Sequence, residues 1–164
     1  MLNAESESEY NFLNQNDDYF MRLALREAEK AYNAEEVPIG AVIVHENRII
    51  GRGYNQTEHL QDPTAHAEMI AITAAATSLG SRRLLDCTLY VTLEPCSMCA
   101  GAIVLARIPR LVFAASDPKA GACGTLYNIA HDQRLNHRAS ITTGVLEQDG
   151  AMILKSFFAR IRKN

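Results

Sequence analysis

The stretch TLYVTLEPCSMCAGAIVLARIPRLVFAA, residues 88–115, decides how the chain is read. Residues 88–93 form a short apolar, β-branched run, as a central strand requires. Pro95 suits a helix start, because its missing N–H would have no intrahelical partner there. Gly101, Ala102, Val104, Leu105 and Ala106 continue that helix until Pro109 stops it. Residues 111–115 then read as a further strand.

Two thiols open the helix in this stretch. Cys96 and Cys99 stand three positions apart, so they share one helix face. The thiolate is the metal-binding form of cysteine, and a helix N-terminus favours negative charge. Upstream lies Pro63-Thr64-Ala65-His66-Ala67-Glu68, where an imidazole and a carboxylate stand two positions apart near a second predicted helix start. Alone, a Cys-x-x-Cys is as readily a redox pair or half of a structural zinc site. Alone, a His-x-Glu is common surface chemistry. Together, in this order, they read as one centre: His66, Cys96 and Cys99 as three ligands of a single zinc ion, with Glu68 as the proton carrier beside it. Structural zinc sites usually close with four protein ligands, whereas catalytic sites keep a place for water. Water in that place reaches a pKa of about 7.

Working outward, residues 1–16 are polar and acidic and read as a flexible tail. A single domain is expected over residues 17–164. Asp17 or Asp18 can cap a helix running to about residue 33, with Phe20, Leu23, Ala24, Ala28 and Ala31 on its buried face. Residues 39–45 and 48–55 read as antiparallel strands joined by a tight turn at Glu46-Asn47. Residues 56–62 read as a polar loop, with His59 an exposed loop histidine. A small-residue helix runs from Thr64 to near Gly80. After the central stretch come a loop over 116–124, an ambiguous segment over 125–138, a short strand over 141–145 and a last helix from Asp149. Strands alternating with helices imply an α/β fold: a three-layer α/β/α sandwich on a mixed sheet of about five strands. Cys87 and Cys123 read as small core residues. His131 and His137 read equally as turn histidines or RNA contacts. Of Phe157 and Phe158, at least one is expected in the core.

Length and composition agree with a folded domain: 164 residues, 48% apolar, net charge −3. No apolar run approaches the ~20 residues that span a bilayer. The N-terminus lacks a signal-peptide pattern, so a cytoplasmic protein away from membranes is expected. Residues 1–18 carry five acids and no base, while residues 82–164 carry 11 bases against 6 acids. A local basic face can attract phosphate even on an acidic protein.

His-x-Glu paired with Pro-Cys-x-x-Cys resembles the zinc-dependent cytidine deaminase superfamily. The stretches "EVPIGAVIV", "GYNQ", "DPTAHAEMIA", "LYVTLEPCSMCAGAI", "RLVFAASDPKAGA", "NHR" and "SFFARIR" most resemble its bacterial tRNA adenosine deaminase branch. This resemblance implies hydrolytic deamination of adenosine to inosine at the wobble position of a tRNA anticodon, one zinc per subunit, and a homodimer. By matching position it also implies that Asn55 bonds the target purine and that Asp117 lies near the RNA backbone. Val37, Pro38 and Ile39 would wall the base pocket, and backbone groups near Ala67 and Glu94 would orient the base. The alternatives are a small-molecule deaminase acting on guanine, cytosine or deoxycytidylate, and a non-catalytic zinc module that binds nucleic acid.

Overall fold

The computed structural model describes the backbone of residues 4–164 and the side chains from Asn16 onward. Helix α1 (Ala4–Asn33) leads into a hairpin of β1 (Gly40–His45) and β2 (Arg48–Tyr54). Glu46 and Asn47 both have positive φ, 48° and 59°, as the tightest hairpin turns require. A single-turn helix, α2 (Thr57–Leu60), interrupts the expected loop before α3 (Ala67–Leu79). Then come β3 (Cys87–Leu93), α4 (Ser97–Ala106), β4 (Arg110–Ala115), a 3-10 turn at Ile129–His131, β5 (Ser140–Thr143) and α5 (Glu147–Lys163).

The strands form one sheet in the order β2-β1-β3-β4-β5. β1 runs antiparallel to β2 and β3, whereas β3, β4 and β5 are mutually parallel. This is the mixed five-stranded sheet expected. Period-two alternation divides its side chains between two cores. Val42, Val44, Tyr90, Val112 and Ala114 meet Phe20, Met21 and Ala24 of α1. Ala41, Ile43, Leu89, Val91, Leu111 and Phe113 meet Ala67, Ala71 and Ala75 of α3 and Ala100, Ile103 and Ala106 of α4. The result is the three-layer sandwich.

Two expectations about α1 need correction. Its backbone is helical from Ala4, well before Asp17 and Asp18, so neither residue is an N-cap. Asp17 is instead buried and faces the sheet, accepting 2.7 Å bonds from Arg110 Nη1 and Nη2 and a 2.8 Å bond from the Tyr90 hydroxyl. Part of the stretch expected as a tail is therefore helical backbone. Residues 1–3 lie outside the described residues.

The seat of α3 is set by absent side chains. A Cβ on Gly53 would lie 2.2 Å from the Ala67 carbonyl oxygen, and one on Gly51 would lie 2.3 Å from that of Ala71. Ala67, Ala71 and Ala75 recur at four-residue spacing and are buried. Small residues on both partners let the helix lie against the β2 backbone. Neither contact atom belongs to a flexible side chain that could give way. Gly53→Ala should therefore lower the unfolding free energy by about 2 kcal/mol or more, as overpacking of a tight core does. Urea denaturation measures this, and a change within about 0.5 kcal/mol would show that α3 is not seated there.

Candidate metal centre

His66 is the N-cap residue of α3 and Cys96 is the N-cap residue of α4. An N-cap side chain ordinarily bonds a free amide of its own first turn. Neither of these does. They turn toward each other instead: His66 Nδ1 lies 3.6 Å from the sulfurs of both Cys96 and Cys99. Pro95 stands before the N-cap rather than at the first helical position expected for it. It ends the extended segment from β3 and places Cys96 at the cap. Cys99 lies in the first turn of α4 and is buried, whereas His66 and Cys96 are half-buried.

The donor set fits zinc. All three donor atoms lie within 4.8 Å of one another. A zinc ion with bonds of about 2.0 Å to nitrogen and about 2.3 Å to sulfur, at tetrahedral angles, holds them about 3.6 Å apart. That is the observed His66 separation from each sulfur. Among the described residues, no fourth His, Cys, Asp or Glu joins the cluster. Cys87 and Cys123 are buried elsewhere as free thiols, as expected of core residues.

The thiols and the imidazole perturb one another. Hydrogen bonds from Cys99 and His66 hold the Cys96 thiol down to about 3, while its bond to Cys96 drives Cys99 well above the ordinary range. The same contact with Cys96 raises His66. A divalent cation held by these donors would deprotonate both thiols outright. Glu68, in the first turn of α3, is 4% exposed, and burial pushes its carboxyl up to about 7.

Asn55 is buried just past β2. Its N–H donates to Ile39 O at 3.1 Å, and the next N–H, of Gln56, donates to Ala65 O at 3.0 Å. These two bonds tie Asn55 to the Val37–Pro38–Ile39 segment on one side and to the residue before His66 on the other. Asp117 stands apart from the donors. Its Oδ1 accepts from the amides of Lys119 and Ala120 at 2.9 and 3.3 Å, so that oxygen shapes its own loop. The Glu94 N–H donates to Ala115 O at 2.8 Å and cannot orient a base. His131 Nδ1 bonds the Ala139 carbonyl at 2.8 Å and His137 Nε2 bonds the Ile108 carbonyl at 2.6 Å, so one ring nitrogen of each fastens a turn. Phe157 is buried and Phe158 is exposed. A groove of about 810 Å3 between α1 and α5 contains none of the centre's residues.

Three buried acids escaped the sequence reading: Glu27, which pairs with Lys30 at 2.8 Å, Glu36 and Glu94. Glu36 accepts the amides of Glu58 and His59 at 3.2 and 2.6 Å, and Glu94 accepts several donors from the loop after β4. The available signal was an acid set beside buried apolar segments, as in "TLEPC" and "EEVPIG".

Burial, then neighbouring acids, pushes the Cys87 thiol up to about 11 and the Cys123 thiol up to about 12. A raised value keeps both protonated at about pH 8, and only the thiolate alkylates. Iodoacetamide should leave both unmodified in the folded protein and modify both in denaturant, as read by mass spectrometry. Rapid labelling of the folded chain at either position would contradict this burial.

Comparison with known proteins agrees with the geometry. Residues 14–115 match the cytidine and deoxycytidylate deaminase zinc-binding region. The tRNA-specific adenosine deaminase of Bacillus subtilis strain 168 is 50% identical over 147 residues, covering 90% of this chain and 91% of that protein. A structure from studies of A-to-I editing by tRNA:A34 deaminases superposes with a TM-score of 0.80 at 47% identity, covering 83% of this chain and 99% of that one. A guanine deaminase from Bacillus subtilis superposes with a TM-score of 0.59 at 42% identity, covering 65% and 69%. By donor set, sequence and fold, the chain belongs to the zinc-binding cytidine and deoxycytidylate deaminase family, in which its curated relatives are tRNA-specific adenosine deaminases.

Proposed function

We propose that the protein deaminates adenosine to inosine at the wobble position of a tRNA anticodon, with water as co-substrate and ammonia as the second product. The observation that carries this reading is a three-donor centre with a buried carboxyl, Glu68, two residues from the histidine donor. A structural zinc site has no use for that acid. The 50% identity to the Bacillus subtilis tRNA-specific adenosine deaminase supports adenosine in tRNA as the substrate.

In this reading His66, Cys96 and Cys99 hold the ion, one per subunit, and residues 17–164 act as one catalytic domain. Zinc held by three protein donors supplies a water activated at neutral pH. Glu68 takes a proton and returns protons to the purine ring nitrogen and the departing ammonia, the role of a positioned general acid and base. In this reading the side-chain amide of the buried Asn55 bonds the edge of the purine. Val37 and Ile39 flank that edge. The base reaches the pocket only when unstacked, which an anticodon loop allows at low cost.

The remaining roles follow the same reading. Exposed Lys119, Arg138, Arg162 and Lys163 supply positive charge for the RNA backbone near Asp117 and α5. Arg160 does not, because it stacks 4.2 Å from the Tyr32 ring centre and donates to Tyr32 O at 3.1 Å. On α4, Met98, Gly101, Ala102 and Leu105 form a small, apolar outward face, with Leu105 74% exposed. Such a face suits a second copy of the chain, hence a homodimer. No described helix is long and apolar enough to cross a membrane, and a cytoplasmic site of action is part of the proposal.

The likeness to a guanine deaminase favours one second reading, a deaminase of free bases. Incubation with an anticodon stem-loop and, separately, with free guanine, adenine and cytosine separates the two. Mass spectrometry should find inosine in the RNA. Ammonia released only from free bases would favour the second reading. Glu68→Gln should keep one zinc per chain yet lower kcat by about a thousandfold, within the range for losing a positioned acid–base group. Near-normal turnover by that variant would remove Glu68 from the chemistry.

A further inference from the structure

The Glu94 carboxylate takes no part in the donor cluster, yet it is 2% exposed and fully engaged. Its Oε1 accepts from the Asp117 amide at 3.3 Å and from the Thr125 hydroxyl. Its Oε2 accepts from the amides of Cys123 and Thr125 at 3.1 and 3.2 Å. Donors from both ends of residues 117–125 thus converge on one side chain. Gly121 makes room for it: a Cβ there would lie 2.3 Å from Oε2 and 2.5 Å from the Asp117 carbonyl oxygen. The loop's returning leg is bound to the metal-bearing segment, with Ala122 N–H donating to Pro95 O at 2.9 Å. Glu94 therefore stands between the segment that supplies Cys96 and the loop that carries Asp117.

Every partner of this carboxylate is a donor. Hydrogen bonds to an ionised acceptor are the strong kind, and without them three loop amides lose their partner. We propose that Glu94 is a positioning residue for substrate: it holds residues 117–125 as a preformed wall beside the metal centre, so that the loop meets the RNA in one shape. Glu94 then governs substrate capture and leaves the chemical step and the metal alone. This role rests on the reading of the site as an RNA deaminase centre.

The test compares wild type, Glu94→Gln and Thr125→Val. The amide of glutamine turns one acceptor into a donor facing N–H groups. Valine removes the hydroxyl bond alone. For Glu94→Gln, KM for an anticodon stem-loop should rise about tenfold while kcat stays within about threefold, the pattern of lost binding and not lost chemistry. Zinc should remain at one per chain. Hydrogen exchange should quicken at the amides of Asp117, Cys123 and Thr125 but not within α4. Thr125→Val should shift KM and loop exchange in the same direction by less. Unchanged KM and exchange in both variants would overturn the role, as would loss of zinc or a fall in kcat at constant KM. Should Glu94→Gln not fold, unchanged KM and exchange in Thr125→Val overturn it alone. Failure of the wild type to form inosine would count against the substrate reading, and loop exchange would still decide whether Glu94 holds the wall.

Discussion

The centre depends on two helix N-termini held face to face, so that one imidazole nitrogen stands 3.6 Å from two sulfurs. Each helix start is fixed by a different part of the sheet. α3 is lowered onto β2 by Gly51 and Gly53, and its start carries His66 and Glu68 toward the start of α4. α4 begins four residues after the end of β3, in the crossover to the parallel strand β4, which delivers Cys96 and Cys99. In open α/β sheets the crevice beyond the carboxyl ends of parallel strands is where ligands bind. Free amides at both helix starts add positive field where anionic sulfur must sit.

Around the donors, the walls are held by buried carboxylates that take no part in the chemistry. Glu36 bonds the amides that open α2, and so joins the segment before β1 to the loop leading to His66. Glu94 does the same for the loop after β4. Irregular backbone near a buried site needs partners for its N–H groups. A carboxylate can serve several at once, which a backbone carbonyl does less well. Both walls are therefore ordered before a substrate arrives, the arrangement that favours electrostatic preorganisation.

The parts legible in the sequence were those that repeat or that carry rare residue types. Short apolar runs revealed β1, β3 and β4, and the dipeptide Glu46-Asn47 revealed the hairpin. Thiol and imidazole spacing revealed the donors, because few other roles use that combination. Asp17 was misread because an acid at the start of an apolar-periodic run looks like a cap, whereas its partners, Tyr90 and Arg110, are 73 and 93 residues away. The same distance problem hid Glu36 and Glu94, whose partners are loop amides and leave no mark on composition. His131 and His137 stayed ambiguous for a like reason, since a carbonyl acceptor has no sequence signature.

Anomalous diffraction at the zinc absorption edge, from crystals of the zinc-loaded protein, tests the central claim most directly. A single peak should lie within bonding distance of His66 Nδ1, Cys96 Sγ and Cys99 Sγ, with a non-protein ligand completing the coordination and the Glu68 carboxyl beside it. A peak elsewhere, or a fourth protein donor closing the site, would contradict the account.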